Sequence, residues 1–108
     1  MDEQEFKREA DRSLNTLYKR LTSAGEEAGF EADFNAGALS IEFENSTAKF
    51  VISPNAPVRQ IWVSAHSRSF KLDWDPARDE FVLGDSGQSL TQLIQQAIGK
   101  ETGAEVAL

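Results

Sequence analysis

The sequence has no cysteine and only one histidine in 108 residues. Without cysteine, the chain has no disulfides, no thiolate metal ligands and no cysteine nucleophile. It also lacks a run of 18 apolar residues, which a membrane-spanning helix needs. The acidic N-terminal segment has neither the basic start nor the apolar stretch of a signal peptide. We therefore expect a cytoplasmic protein without thiol or membrane functions.

Basic residues are outnumbered: 11 Lys and Arg stand against 18 Asp and Glu, for a net charge of −7. Residues 1–45 hold 11 of the acidic and 5 of the basic side chains, so they carry −6 of that charge. Nucleic-acid binding needs clustered Lys and Arg, so we predict no nucleic-acid partner. The acidity favours a basic protein partner or a cation, although many domains are acidic for solubility alone.

Motifs of enzyme active sites are also absent. His66 lies in a predicted turn near Ser64 and Ser67, but no Gly-x-Ser-x-Gly or similar nucleophile context accompanies it. Glycine-rich phosphate-binding motifs are missing. No carboxylate pair lies in an evident apolar cleft that would suit acid–base catalysis. We predict no catalytic residues and interpret His66 as a solvated loop residue.

Amphipathic helices are predicted at both ends of the chain. The first covers about 3–23, begins with Asp2 and Glu5 in the pattern of a capping box, and is expected to stop at Gly25. The second is capped by Ser86 or Ser89 and ends near residue 103. The apolar stripe that defines the first helix consists of Phe6, Ala10, Leu14, Leu17 and Leu21.

Between the helices the apolar residues alternate with polar ones, which is typical of strands. Six strands are predicted, over about 30–34, 39–44, 49–52, 58–64, 70–74 and 80–83. The connections are short, including a tight turn at Asn35-Ala36-Gly37, so the strands run antiparallel. The order predicts an α+β fold, with two helices packed on one face of an antiparallel sheet of about six strands.

The orientation of Trp62 decides whether the sheet face opposite the helices carries a recognition residue. Trp62 lies in the segment Gln60-Ile61-Trp62-Val63-Ser64, and successive strand side chains point to opposite faces. If Ile61 and Val63 face the core, Trp62 faces outward as a recognition residue would. The alternative is a strand buried on both faces, with Trp62 beneath a helix. Both helices can cover one sheet face, which favours an exposed Trp62.

Four carboxylates near the start of the sheet could hold a metal ion. Glu26 and Glu27 follow the predicted first helix, and Glu31 and Asp33 share the outward face of the first strand. Carboxylate oxygens are hard ligands that suit Mg²⁺, Ca²⁺, Mn²⁺ and iron. Without thiolates such a site would be exposed and weakly selective. The alternative is a solvated acidic rim without a cation of its own.

Several segments resemble the frataxin family, and the resemblance runs the whole length of the chain. The most specific segment is QIWVS at 60–64; others are NAGALSIEF at 35–43, FKLDW at 70–74, and the second helix with its Leu90 and Leu93-Ile94. The start of the chain, with Glu5-Phe6 and Arg20-Leu21, resembles the bacterial CyaY branch. The resemblance implies the same fold of two helices on one face of an antiparallel sheet.

The resemblance also implies weak surface binding of iron, Fe²⁺ or Fe³⁺, through exposed carboxylates, with other divalent cations able to substitute. By position, the expected ligands are Asp11, Glu26, Glu27, Glu31 and Asp33. Frataxin-like proteins usually carry a denser acidic run after the first helix. Here residues 18–29 contain only two acidic side chains, which reduces the expected iron capacity more than the expected partner role.

For partners, the resemblance implies the cysteine desulfurase and the scaffold protein of iron–sulfur cluster assembly. The expected contact residues are Asn55, Gln60, Trp62 and Lys71. We expect an iron-binding accessory protein, monomeric or oligomerising with iron, rather than an enzyme. The alternatives are an interaction module with vestigial iron binding, and a weak ferroxidase or iron-storage protein.

Overall fold

The six strands form a single antiparallel meander, in which each strand pairs with the next one along the chain. The computed structural model describes residues 1–108. Neither α-helix combines the length with the hydrophobicity that a membrane-spanning helix needs. The elements are α1 (Glu3–Ala28), β1 (Phe30–Asn35), β2 (Ala38–Phe43), β3 (Lys49–Asn55), a 3-10 turn (Ala56–Val58), β4 (Gln60–Ala65), β5 (Arg68–Asp75), β6 (Glu80–Leu83) and α2 (Leu90–Thr102). This confirms the predicted α+β class and element order.

The core is one cluster of 22 buried residues between the helices and one face of the sheet. The predicted apolar stripe of α1 is buried along its length, and Phe6 packs edge-on against Phe81 of β6 at 5.8 Å. Val106 of the C-terminal tail is also buried. Because both helices occupy the same side, the opposite sheet face carries the polar phase of each strand.

Both helix starts follow the predicted capping pattern. The backbone N–H of Glu5 donates to Asp2 Oδ1 at 2.8 Å, and this bond lowers the pKa of Asp2 below its ordinary value of 3.8. Ser89, and not Ser86, caps α2, and it forms a reciprocal capping box with Gln92.

The end of α1 differs from the prediction. The helix runs through Gly25 to Ala28 and ends at Gly29, whose φ of 79° closes it in the left-handed conformation. Gly25 is buried, and a Cβ there would lie 2.5 Å from the Phe30 carbonyl oxygen. Gly25 therefore serves close packing of helix on strand rather than helix termination.

The connections before β2 and β4 contain residues with positive φ. Ala36 and Gly37 both have positive φ, 54° and 81°, as a two-residue hairpin turn requires, and they confirm the predicted turn. The fourth strand was predicted from residue 58 but starts at Gln60, because Pro57 lies in the 3-10 turn and Arg59 is left-handed with φ of 55°. Val58 therefore lies in the 3-10 turn before this strand, where it is 50% exposed, instead of within the strand.

Candidate functional site

The outward face of the sheet brings together all four residues predicted to contact a partner. In the registers of β3, β4 and β5, Trp62 lies between Ser53 and Lys71. One row further, Gln60 lies between Asn55 and Asp73. Since all of these side chains belong to the polar phase of their strands, they share one surface. We call it the Trp62 face; it consists of Asn55, Gln60, Trp62, Lys71 and Asp73.

Trp62 is exposed, as the alternation predicted. Its side chain is 38% accessible, whereas its neighbours Ile61 and Val63 are buried in the core. Aromatic side chains are enriched where proteins bind one another, so the exposed ring is a candidate contact residue. The outcome excludes the alternative in which Trp62 lies beneath a helix.

Neighbouring side chains hold the Trp62 ring in place. Its indole Nε1 donates to Gln60 Oε1 at 3.0 Å, and the Lys71 ammonium lies 5.0 Å from the ring centroid in a cation–π contact. Gln60 Nε2 in turn donates to Asp73 Oδ1 at 3.1 Å, so the amide has one satisfied orientation. The ring is therefore ordered before any partner arrives, which reduces the entropy lost on binding.

Asp73 lies on this face but was not among the predicted contact residues. The structure shows that its carboxylate accepts the hydrogen bond that orients Gln60, and through Gln60 the tryptophan. The alternation of Lys71 and Asp73 was visible in the sequence. What the sequence did not contain is the register, which sets Asp73 directly opposite Gln60.

The predicted metal-binding carboxylates are divided between strand and helix. Glu31 and Asp33 are exposed on edge strand β1, and Glu31 lies opposite Glu42. Lys49 Nζ is 3.6 Å from Glu42 Oε1, so one base already offsets part of this charge. We call the three exposed carboxylates Glu31, Asp33 and Glu42 the acidic edge.

The helix carboxylates lie in the last turn of α1, not after it as expected. Glu26 and Glu27 are exposed there, and no basic residue accompanies them in that turn. The negative end of the helix dipole disfavours acidic side chains at this end and favours a cation. Asp11 is 15 residues earlier, about 22 Å along the helix axis, so it cannot share a cation with Glu26.

No group of three or more His, Asp or Glu side chains is close enough to hold a metal ion. The donor atoms are the hard oxygens that ferrous and ferric iron accept, but they do not converge on one point. That Glu26, Glu27, Glu31 and Asp33 share one cation stays a prediction. Weak iron binding at these separate carboxylates stays a prediction.

His66 occupies the tight turn between β4 and β5, with φ of 52°. Its ring packs edge-on against Phe50 at 5.0 Å, and its Nε2 lies 3.8 Å from Glu101 Oε1 of α2. It is therefore half-buried rather than simply solvated. None of the side-chain hydrogen bonds of the structure joins a serine hydroxyl to His66.

The comparisons with known proteins agree with this geometry. The family model described as a frataxin-like domain matches residues 1–104. The chain belongs to the frataxin-like family. A solved frataxin from Psychromonas ingrahamii, of the CyaY family, is 26% identical to the chain and superposes with a TM-score of 0.78. The match covers 98% of this chain and 96% of that one.

Membership in the frataxin-like family supports a role related to iron–sulfur cluster assembly in general terms. The family is also known for binding iron in general. The shared fold explains why the Trp62 face is free: both helices of the frataxin-like domain pack on the other side of the sheet.

Proposed function

We propose that this frataxin-like domain is an accessory protein of iron–sulfur cluster assembly in the bacterial cytoplasm, which binds the complex of cysteine desulfurase and scaffold protein. The observation that carries the proposal is the ordered, exposed Trp62, fixed by Gln60 on one side and Lys71 on the other. A tryptophan anchor surrounded by polar groups is the usual composition of an interface hot spot. Asn55 extends the same surface by one strand.

Charge supplies the second part of the proposal. The acidic edge and the carboxylates of the last turn of α1 give one region of the molecule a negative potential, which would attract a basic partner surface. Such charges act mainly on the rate of association and on its salt dependence. In this proposal the same carboxylates take up iron weakly, as cargo or as a regulatory signal.

A second candidate function is a pure interaction module in which iron binding is vestigial. The observation that favours it is the contrast between an assembled Trp62 face and carboxylates that do not converge. The two candidates differ in whether Fe²⁺ changes the affinity for the partner complex. A ferroxidase or storage activity would instead appear as oxidation of Fe²⁺ above the buffer rate.

The experiment is a binding titration of the host's desulfurase–scaffold complex, with and without Fe²⁺. Trp62→Ala should weaken binding about thirtyfold, the loss of 2 kcal/mol or more that is typical of a hot spot. Trp74→Phe is the matched control, because Trp74 packs on the helix side against Phe81 at 5.0 Å and should leave binding unchanged. A folded Trp62→Ala protein that binds normally would contradict the proposal.

The acidic residues are tested separately by kinetics. The double variant Glu31→Gln, Asp33→Asn should slow association at low salt and change the dissociation rate little. Asp85→Asn with Glu105→Gln, both exposed and outside this region, removes the same charge and should have a smaller effect. Equal slowing by both pairs would show that only net charge matters.

A further inference from the structure

A groove lies on the helix side of the sheet, opposite the Trp62 face. It lies between α2 and the ends of β4 and β5 and has a volume of about 260 Å³. The C-terminal tail packs along the flank of α2 that carries Gln95, whose side chain accepts from Leu108 N at 2.9 Å. The flank of α2 over β4 and β5 is left open. The apolar floor of this α2–β5 groove consists of Val63, Ala65, Phe70, Leu93 and Ala97.

Two cations line the rim of this groove. Arg68 belongs to β5 and shares the strand phase of Phe70, with its guanidinium carbon 5.3 Å from the centroid of that ring. Lys100 belongs to the last turn of α2, on the other wall. Both are exposed, and neither takes part in any of the ion pairs of the structure.

The rest of the rim consists of polar side chains, and their hydrogen-bonding groups are only partly paired. Gln88 Nε2 donates to Gln96 Oε1 at 2.7 Å, which links the loop before α2 to the helix. Each amide keeps one further group free, an acceptor on Gln88 and a donor on Gln96. The rim thus offers two positive charges and a neutral donor over an apolar floor, without a carboxylate among the lining residues.

We propose that the α2–β5 groove binds a small amphipathic carboxylate, with the carboxylate between Arg68 and Lys100 and the apolar body on the floor. The volume suits a chain of roughly eight carbons, since a cavity of about 150 Å³ already holds benzene. The net charge of −7 opposes an anion at long range, but that repulsion is screened beyond about 8 Å at physiological salt. The proposal does not depend on the proposed function.

The probe is octanoate, with octanol as its uncharged match, titrated into isotopically labelled full-length protein and followed by amide NMR shifts. Octanoate should bind saturably with a Kd on the order of 1 mM, as expected for about ten heavy atoms. The shifts should centre on Ala65, Phe70 and Ala97. Octanol should bind several-fold more weakly, because its uncharged hydroxyl forms no ion pair with Arg68 or Lys100.

The double variant Arg68→Gln, Lys100→Gln should weaken octanoate binding about five- to tenfold, the sum of two exposed ion pairs, and leave octanol binding unchanged. Arg8→Gln with Lys19→Gln removes the same charge from exposed positions of α1 and should change neither. Non-saturating shifts spread over the surface would overturn the proposal. Equal weakening by both double variants would also overturn it, since net charge alone would then explain binding.

Discussion

The two tryptophans have opposite roles, although they lie on neighbouring elements of the same sheet. Trp74 shares the inward phase of Leu72, is half-buried and packs against Phe81. Trp62 points to the other side and touches mainly polar neighbours. The same residue type therefore stabilises the core at one position and is available for recognition at the other.

This contrast predicts different effects on stability. Trp62→Ala should lower the free energy of unfolding by about 1 kcal/mol or less, since it removes one exposed hydrogen bond and one exposed cation–π contact. Trp74→Ala should lower it by about 3 kcal/mol, because it opens a space beside the core. Urea unfolding followed by circular dichroism measures both. Similar losses for the two variants would mean that Trp62 belongs to the core after all.

At the scale of elements, α1 illustrates a glycine whose role is packing. Gly25 lies inside the helix, where glycine costs about 1 kcal/mol relative to alanine. The cost is offset by the close approach of β1, which would place the Phe30 oxygen 2.5 Å from a Cβ. The first strand can therefore follow the helix directly, and the carboxylates of the last turn are brought near the start of the sheet.

Gly25→Ala should consequently destabilise the protein by about 1–3 kcal/mol, because either strand or helix must shift to make room for the Cβ. This loss is expected although alanine has a higher helix propensity than glycine. Gly99→Ala in α2 is the control: the nearest atom to its Cβ would be the Ala104 oxygen at 3.4 Å, an ordinary contact. That variant should be neutral or more stable by up to about 1 kcal/mol. Thermal or urea unfolding compares them, and a stabilised Gly25→Ala protein would refute the packing role.

At the scale of the molecule, charge is distributed unevenly over a small domain. Residues 1–45 carry −6 of the net −7 and form α1, β1 and β2. The last turn of α1 lies beside β1 at one edge of the sheet, whereas the start of α1 packs on β6 at the opposite edge. Repulsion between the carboxylates of that last turn and the acidic edge weakens the folded state, and any bound cation would relieve it. The rest of the chain is nearly neutral.

The melting temperature should therefore rise with millimolar Ca²⁺, Mn²⁺ or Fe²⁺ by more than with NaCl at matched ionic strength. A ligand at 100 times its Kd stabilises by about 2.7 kcal/mol, and separate weak carboxylates should give less. The increase should shrink in the Glu31→Gln, Asp33→Asn variant and persist in Asp85→Asn, Glu105→Gln. An equal rise in NaCl would indicate charge screening without specific binding.

Prediction from sequence succeeded where local physics decides the outcome. The periods of two and about 3.6 located all six strands and both helices. Asp2 and the turn at Ala36-Gly37 matched their patterns because capping and hairpin geometry depend on adjacent residues. The extended end of α1 and the late start of β4 were missed, because Gly25 and Pro57 each allow more than one local conformation.

The amino-acid sequence by itself determined the fold class, the phase of Trp62 opposite to Ile61 and Val63, and the acidity of the first 45 residues, since these follow from composition and alternation. The tertiary structure decided which side chains meet: the contact of Asp73 with Gln60, and the placement of Arg68 and Lys100 on the lining of one groove. Strand register and helix packing set these relations. Both depend on burying residues that are distant along the chain, so no local pattern encodes them.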